Sequence, residues 1–516
     1  MNFGGYSLYI SFELNNMSAL MLAVAALASL TVHVLSAWSI WKDSRITAYY
    51  SYLSLFSFAV YGLMIAGDML TLLVFWGLAG AGGFLIAGYD DANENSREAA
   101  KRLFIMANMS SVALLFAVIL LFWYMPDHAL DFTSIHNLFQ GHAGKAASGI
   151  ITGIALLLTA SAASFAGLFP LHMWQPAAIK SREPFRYALP GLLMPAAAVY
   201  LLAKTYDLFA ASPDAGAVLA YAGGITALLS AVIAAAQNGS LKAVSYVLGA
   251  QTGLAFLVIG AGSAAGGLYM LIAGITGFFL LNSFAQQDTY KKNRLLRLAG
   301  CLGALALSEF PLLIGYWSSS VGLKALYSYN PYLFVVALAA VLFKALALAP
   351  VWLKQLQRIP AASGPAVRSA KPAASAESEQ LFRLADRPAV PAPPKAVMIA
   401  VGAVYALCGI SAGFVQHPWT SRMASWIGSG QEAGSAAAAV AGIGAVSLLG
   451  LLLGWLTYRR QSARLTEDKQ RGWLIRLLQE EWYIPRLIHY AASVPLKAAG
   501  RALQAFDDYI VGRRFW

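Results

Sequence analysis

Charge is what this sequence has least of: 12% of its residues are Asp, Glu, Lys or Arg, where a soluble domain carries about a quarter. That scarcity excludes a solvated surface over most of the chain. Cysteine is nearly absent as well. Cys301 and Cys408 both lie inside apolar runs, so neither a disulfide framework nor a thiolate metal site can be built, and both read as packing residues. No phosphate loop is present, because Gly80, Gly82 and Gly83 have no preceding strand and no Lys-Ser/Thr after them; they read as places where helices approach closely. No flavin, nicotinamide or cluster motif occurs, so the chain is not expected to be a redox enzyme itself. The start of the chain lacks a basic region and a small-residue cleavage site before its first apolar run, so that run is expected to be retained as a span.

What is there is apolar. The hydrophobic fraction is 59% and the mean hydropathy +0.61, which place the chain among polytopic membrane proteins. Windows long enough to cross ~30 Å of hydrocarbon, about 20 residues each, number about 13, from Met17 to Trp41 at one end to Gly434 to Thr457 at the other. The loops between them test the count, because cytoplasmic loops carry the excess of Lys and Arg. Lys42, Arg45, Arg97, Lys101, Arg102, Lys180, Arg182, Arg186, Lys242, four more from Lys291 to Arg297 and seven from Lys354 to Lys395 fall on one side. Only Lys145, Lys204, Lys324 and Arg422 fall on the other. The N-terminus is therefore expected outside the cell membrane and the C-terminal tail in the cytoplasm.

The chain divides into an N-terminal segment and first helix (1–47), a first helical repeat region (48–238), a second (239–416) and a last helix (417–457). Within the second, residues 358–394 are rich in Ala, Pro and Ser and read as a flexible cytoplasmic loop. A basic amphipathic tail follows (458–516), with Trp473, Trp482 and Trp516 among arginines; it reads as an interfacial segment on an anionic leaflet rather than a nucleic-acid footprint.

Two spans are interrupted by proline. The fifth meets Pro170 and continues into a short turn with His172 and Gln175; the tenth meets Pro311 and continues into small polar residues. A proline removes a backbone donor and clashes with the preceding turn, and lipid cannot satisfy the carbonyls that are freed. The two interrupted spans are five apart, and an odd offset places the second copy upside down. Paired interruptions in two halves point to an inverted repeat with an ion or substrate path near the midplane. The expected fold is all-α, with two inverted five-helix repeats, spans three to seven and eight to twelve, and discontinuous helices at Pro170 and Pro311.

The ordered series LLVFWGLAGAGGFLIAGY, AGLFPLHMWQPAA, AVYLLAK, LKAVSYVLGAQTGLAFLVIG and ALSEFPLLIGYWS resembles the antiporter-type membrane subunits of respiratory complex I and of multisubunit sodium/proton antiporters. Within that family it is most similar to the distal subunit, called subunit 5 or L. The resemblance implies proton translocation by Lys, Glu and His inside the helices, other membrane-arm subunits as partners, and quinone, flavin and iron–sulfur clusters only in partner chains, with no cofactor or metal in this one. Carried over position by position, the family's glutamate of span three falls on Gly77 and its span-five lysine on Phe165. Its span-six histidine falls on Pro190, its span-nine lysine near Gly277, and the lysine after the span-ten break near Ser319. None of these positions titrates near neutrality, so pumping is expected to be weakened, rerouted or lost.

The residues that remain as candidates for a proton or ion path are Glu309, Lys344, His172 and Lys242. Glu309 and Lys344 have opposite sign inside the spans, where a charge costs at least ~2.5 kcal/mol unless paired or hydrated. Two readings stand for them: a static pair locking two helices, or a rebuilt relay. His172 at the first break reads either as a path residue or as a hydrogen-bonded one, and Lys242 also reads as a cytoplasmic anchor. His128, His136 and His142 share an external loop at uneven spacing that does not make a metal site. Three roles follow: a membrane-arm subunit of a complex I-like NADH–quinone oxidoreductase, a component of a cation/proton antiporter or inorganic-carbon uptake complex, or a purely structural subunit.

Overall fold

The computed structural model of the chain describes residues 2–3, 6–7, 10–40, 43–90, 94–139, 149–175, 184–237, 240–285, 294–356, 395–414, 437–462 and a few positions after 472. The loop 358–394, His142 and nearly all of the tail lie outside the described residues. Apart from a two-residue antiparallel pairing at the N-terminus, β1 (Asn2–Phe3) with β2 (Tyr6–Ser7), the elements are helical.

In chain order the helices are α1 (Asn16–Ser39), α2 (Ile46–Met64), α3 (Met69–Ala87), α4 (Glu94–Tyr124), the short α5 (Phe132–Phe139), α6 (Gly149–Ala166) and α7 (Pro184–Lys204). Then come the short α8 (Tyr206–Ala211), α9 (Pro213–Ala236), α10 (Ser240–Gly260), α11 (Ala264–Ala285) and α12 (Arg294–Leu307). The last four are α13 (Ile314–Tyr329), α14 (Pro331–Leu356), α15 (Lys395–Phe414) and α16 (Ala437–Ser462). Each span read from the sequence falls on a helix, and the tenth falls on two, α12 and α13. Among the described residues nine helices are long and apolar enough to cross a membrane, with shorter apolar helices at Gly191–Lys204, Leu295–Leu307 and Ala396–Gly409.

Local chemistry starts the helices where the sequence supplies an acceptor. The Asn15 side chain accepts from Ser18 N while the Ser18 hydroxyl accepts from Asn15 N, a reciprocal capping box. Asp68 caps α3 by accepting from Thr71 N at 2.6 Å, and its other oxygen holds Ser11 N at 2.9 Å. That second bond stitches the extended segment before α1 across the α2–α3 turn, where Gly67 N donates to Ser11 O and Glu13 N to Ile65 O.

Two groups of five helices repeat one pattern of neighbours. In the first, α3 packs on α4, α4 on α6, α6 on α7, α3 on α7 and α6 on α9. In the second, α10 packs on α11, α11 on α12, α12 on α14, α10 on α14 and α12 on α15. The groups meet along α9 and α10, where small residues bring two backbones together: a Cβ on Gly223 would lie 2.3 Å from Leu257 N, and one on Gly253 2.5 Å from Ala227 N. Without a hydrophobic drive between helices in lipid, such close packing is what holds them.

Both interrupted spans end their first helix in the same motif. After α6, Leu168 N donates to Ala163 O and Gly167 N to Ser164 O, with Gly167 at φ +69°. After α12, Phe310 N donates to Leu305 O and Glu309 N to Ala306 O, with Glu309 at φ +60°. These are the paired bonds of a Schellman terminator, and the left-handed residue in it is usually glycine. The chain then turns, past Pro170 into a short 3-10 segment at Leu171–Met173, and past Pro311 into α13.

Candidate ion site at the second helix break

The terminator of α12 decides where Glu309 points. A left-handed residue aims its side chain away from the path of the helix it ends, and here that direction leads to Lys344 on α14. The Lys344 ammonium donates to Glu309 Oε1 at 2.6 Å, with side-chain exposures of 0% and 1%. It also donates to Gln251 Oε1 on α10, at 2.5 Å, while Gln251 Nε2 donates to the Met270 carbonyl of α11 at 2.9 Å. Four helices of the second group thus converge on one charge pair. The site is neutral as a whole, and the amide supplies the extra hydrogen bond that a buried pair needs to offset its lost hydration. Glu309 Oε2 and the Ser319 hydroxyl, both buried, have no hydrogen-bond partner among the described residues.

Chemically the pair can pass one proton between carboxyl and amine. Gln251 cannot carry it further, since an amide does not titrate and both of its ends are engaged. Beside Gln251 lies a small cavity of ≈ 10 Å³ bounded by Gly191, Leu192, Pro195, Thr252 and Gly274, about the space one water requires.

The other positions named from the sequence lie apart from this cluster. His172 is buried in the first break, its ring 5.2 Å from that of Phe169 and 6.1 Å from that of Tyr246. Lys242 sits half-buried in the first turn of α10. Neither bonds to Glu309 or Lys344. Phe165 is fully buried and stacks on Trp76 at 4.1 Å, and Trp76 Nε1 donates to Ser110 Oγ at 2.9 Å. Gly77, next to Trp76, faces outward with open space where a Cβ would stand. At Gly277 a Cβ would meet Leu307 at 2.7 Å, so the room for a longer side chain is taken. Pro190 lies in α7, with its side chain outside the described residues.

Sequence reasoning missed two polar groups. Gln251 is the third member of the cluster, and its signal was a lone amide in the apolar run VLGAQTGLAFLVIG. His33 lies within α1, its Nδ1 2.8 Å from Ser29 O, and the Ser29 hydroxyl lies 2.7 Å from that of Ser57 on α2. A histidine inside the first span was the available sign.

Comparison with known proteins places this geometry. The family model described as NADH:quinone oxidoreductase/Mrp antiporter, TM, matches residues 66–344, from the turn before α3 to the lysine of the pair. The chain belongs to this family. A curated relative in it, the NAD(P)H-quinone oxidoreductase chain 5 of Synechocystis sp., is 27% identical over 364 residues, covering 65% of this chain and 53% of that protein. The chloroplastic subunit 5 of Marchantia polymorpha is also 27% identical, over 52% of this chain and 39% of that protein. The chain spans about half the length of the curated relatives that it matches over 65% of its own length. In fold it is similar to a chain of the Mrp complex from Dietzia sp., with a TM-score of 0.68 and 17% identity, covering 97% of this chain and 56% of that one. It is also similar to a chain of respiratory complex I from Thermus thermophilus, with a TM-score of 0.65, 18% identity and coverages of 86% and 87%. Membership fixes the class as a multi-pass, antiporter-like membrane protein. The family match covers both breaks and the whole ion cluster.

Proposed function

We propose that this chain is a membrane-arm subunit of a complex I-like NADH–quinone oxidoreductase in which the family's own proton path has been dismantled. The observation that carries this reading is the Trp76–Phe165 stack at 4.1 Å, an aromatic plug where the resemblance places a lysine. The filled space at Gly277 supports it. The subunit is non-redox, and quinone, flavin and iron–sulfur chemistry belong to partner chains. Its place is the cell membrane, with the N-terminus outside and the basic tail on the cytoplasmic side, as the distribution of Lys and Arg between loops supports. In this reading the Glu309–Lys344 pair is a lock between α12 and α14, because one pair with an amide neighbour does not make a membrane-wide path.

A second reading, a subunit of a cation/proton antiporter, is favoured by the family's description, which names both kinds of complex. There the pair would be a rebuilt carrier. The double variant Glu309→Gln with Lys344→Met separates the two in the assembled complex. Under the lock reading it assembles and proton movement in the parent complex is unchanged. Loss of coupling in a well-assembled double variant would overturn that reading and make the pair a carrier.

A further inference from the structure

The helix α16 belongs to neither group of five, and the family match ends at residue 344, well before it. It is nonetheless fastened to both helices that carry the pair. The fully buried Ser447 hydroxyl donates to the Ser308 carbonyl at 2.6 Å, on the residue that precedes Glu309. Ser308 lies at the end of α12, where carbonyls lose their helical partners and lipid offers none. Gly444 lies against the ring of Pro311, where a Cβ would stand 3.3 Å from Cγ, and the Tyr316 hydroxyl donates to Val440 O at 3.2 Å. Further along, α16 sits directly on α14. A Cβ on Gly450 would come within 2.5 Å of the Leu342 carbonyl and 2.8 Å of Ala345, and one on Gly454 within 2.5 Å of Ala349. These contacts bracket Lys344 on its own helix.

We propose that α16 is a clamp that holds the Glu309–Lys344 pair closed, with Ser447 as the positioning residue. Ser447 touches neither charged group. It anchors the break by its last carbonyl while Gly450 and Gly454 seat the same helix on α14, so the span across which carboxylate and ammonium meet is set from outside the pair. A displacement of α16 is then the motion that opens it. Once opened, the Glu309 carboxyl is no longer held against the Lys344 ammonium and is free to meet a reagent that enters from the apolar phase. The clamp rests on the pair's geometry and holds whether the pair carries protons or only locks two helices.

Dicyclohexylcarbodiimide reads this state directly on the purified full-length protein. A protonated carboxyl adds through oxygen to the carbodiimide carbon, its proton moves to a carbodiimide nitrogen, and rearrangement leaves a stable N-acylurea with nothing expelled. The adduct at Glu309 is quantified by mass spectrometry, with Glu309→Gln as the blank. The parent protein should label slowly. Ser447→Ala should label about tenfold faster, the scale set by leaving one buried carbonyl unpaired. Ser447→Thr, which keeps the hydroxyl, should return to the parent rate, and Gly450→Leu, which pushes α16 off Leu342, should label fastest. The clamp is overturned if Ser447→Ala labels no faster than the parent, or if Ser447→Thr labels as fast as Ser447→Ala. If Gly450→Leu does not fold, the two Ser447 variants decide the matter.

Discussion

At the first break Gly167 takes φ +69°, and at the second Glu309 takes φ +60°, each as the left-handed residue between the same two backbone bonds. What surrounds them differs. A Cβ on Gly167 would stand 2.8 Å from Trp174 Nε1 and 3.4 Å from the Gln175 side chain, so the first break is closed by its own turn and has no space for a side chain. Around Glu309 the turn leaves the side chain free to reach α14, at the cost of about 1 kcal/mol of left-handed strain that glycine would not feel. The same division runs through the helices above. In the first group the centre is Trp76 on Phe165; in the second it is Glu309, Lys344 and Gln251. A backbone motif can therefore be kept in both halves of a repeat while the chemistry it presents is kept in only one.

The comparison breaks most severely if the acidic residue is moved. Gly167→Glu should abolish folding, because the added side chain would run into Trp174 and Gln175 where the second break leaves room; recovery of monodisperse protein after detergent extraction measures it. Next in size is removal of one partner at the second break. Lys344→Met leaves a buried carboxylate unmatched and should cost about 3–5 kcal/mol, and adding Glu309→Gln should restore most of it, as read by thermal unfolding in detergent. A double variant no more stable than the single one would mean the two groups do not act as a pair.

Smaller effects sharpen the contrast. Gln251→Leu removes one acceptor from the ammonium and should cost about 1.5–3 kcal/mol, the range for hydrogen bonds to charged groups. The bonds at the first break among the described residues are between neutral groups, such as Phe169 N to Thr226 Oγ1 at 3.2 Å. Thr226→Val should accordingly cost about 0.5–1.5 kcal/mol. If the two losses prove equal in the same unfolding assay, the charge at the second break contributes nothing beyond an ordinary hydrogen bond.

Much of this is legible in the sequence alone. Scarce charge, apolar windows and the one-sided Lys and Arg pattern are local properties, and local properties decide which segments enter lipid as helices. Two prolines at an offset of five spans were enough to read an inverted repeat, since alternation of direction follows from crossing the membrane at all. Sign and depth sufficed to pick Glu309 and Lys344. Opposite sign at similar depth was also enough to expect them as a pair, although they lie 35 residues apart in the chain; the third member was another matter, since Gln251 lies 93 residues from Lys344. Which faces of α10, α12 and α14 turn toward one another depends on packing among all the helices, where small residues such as Gly223, Gly253 and Gly450 set how closely backbones come. Only the tertiary structure showed that Gly77 faces outward, that Leu307 fills the space at Gly277, and that Glu309 stands in the place where the first break keeps a glycine. A linear pattern records what each residue is, whereas the partner of a buried charge is chosen by the shape of everything packed around it.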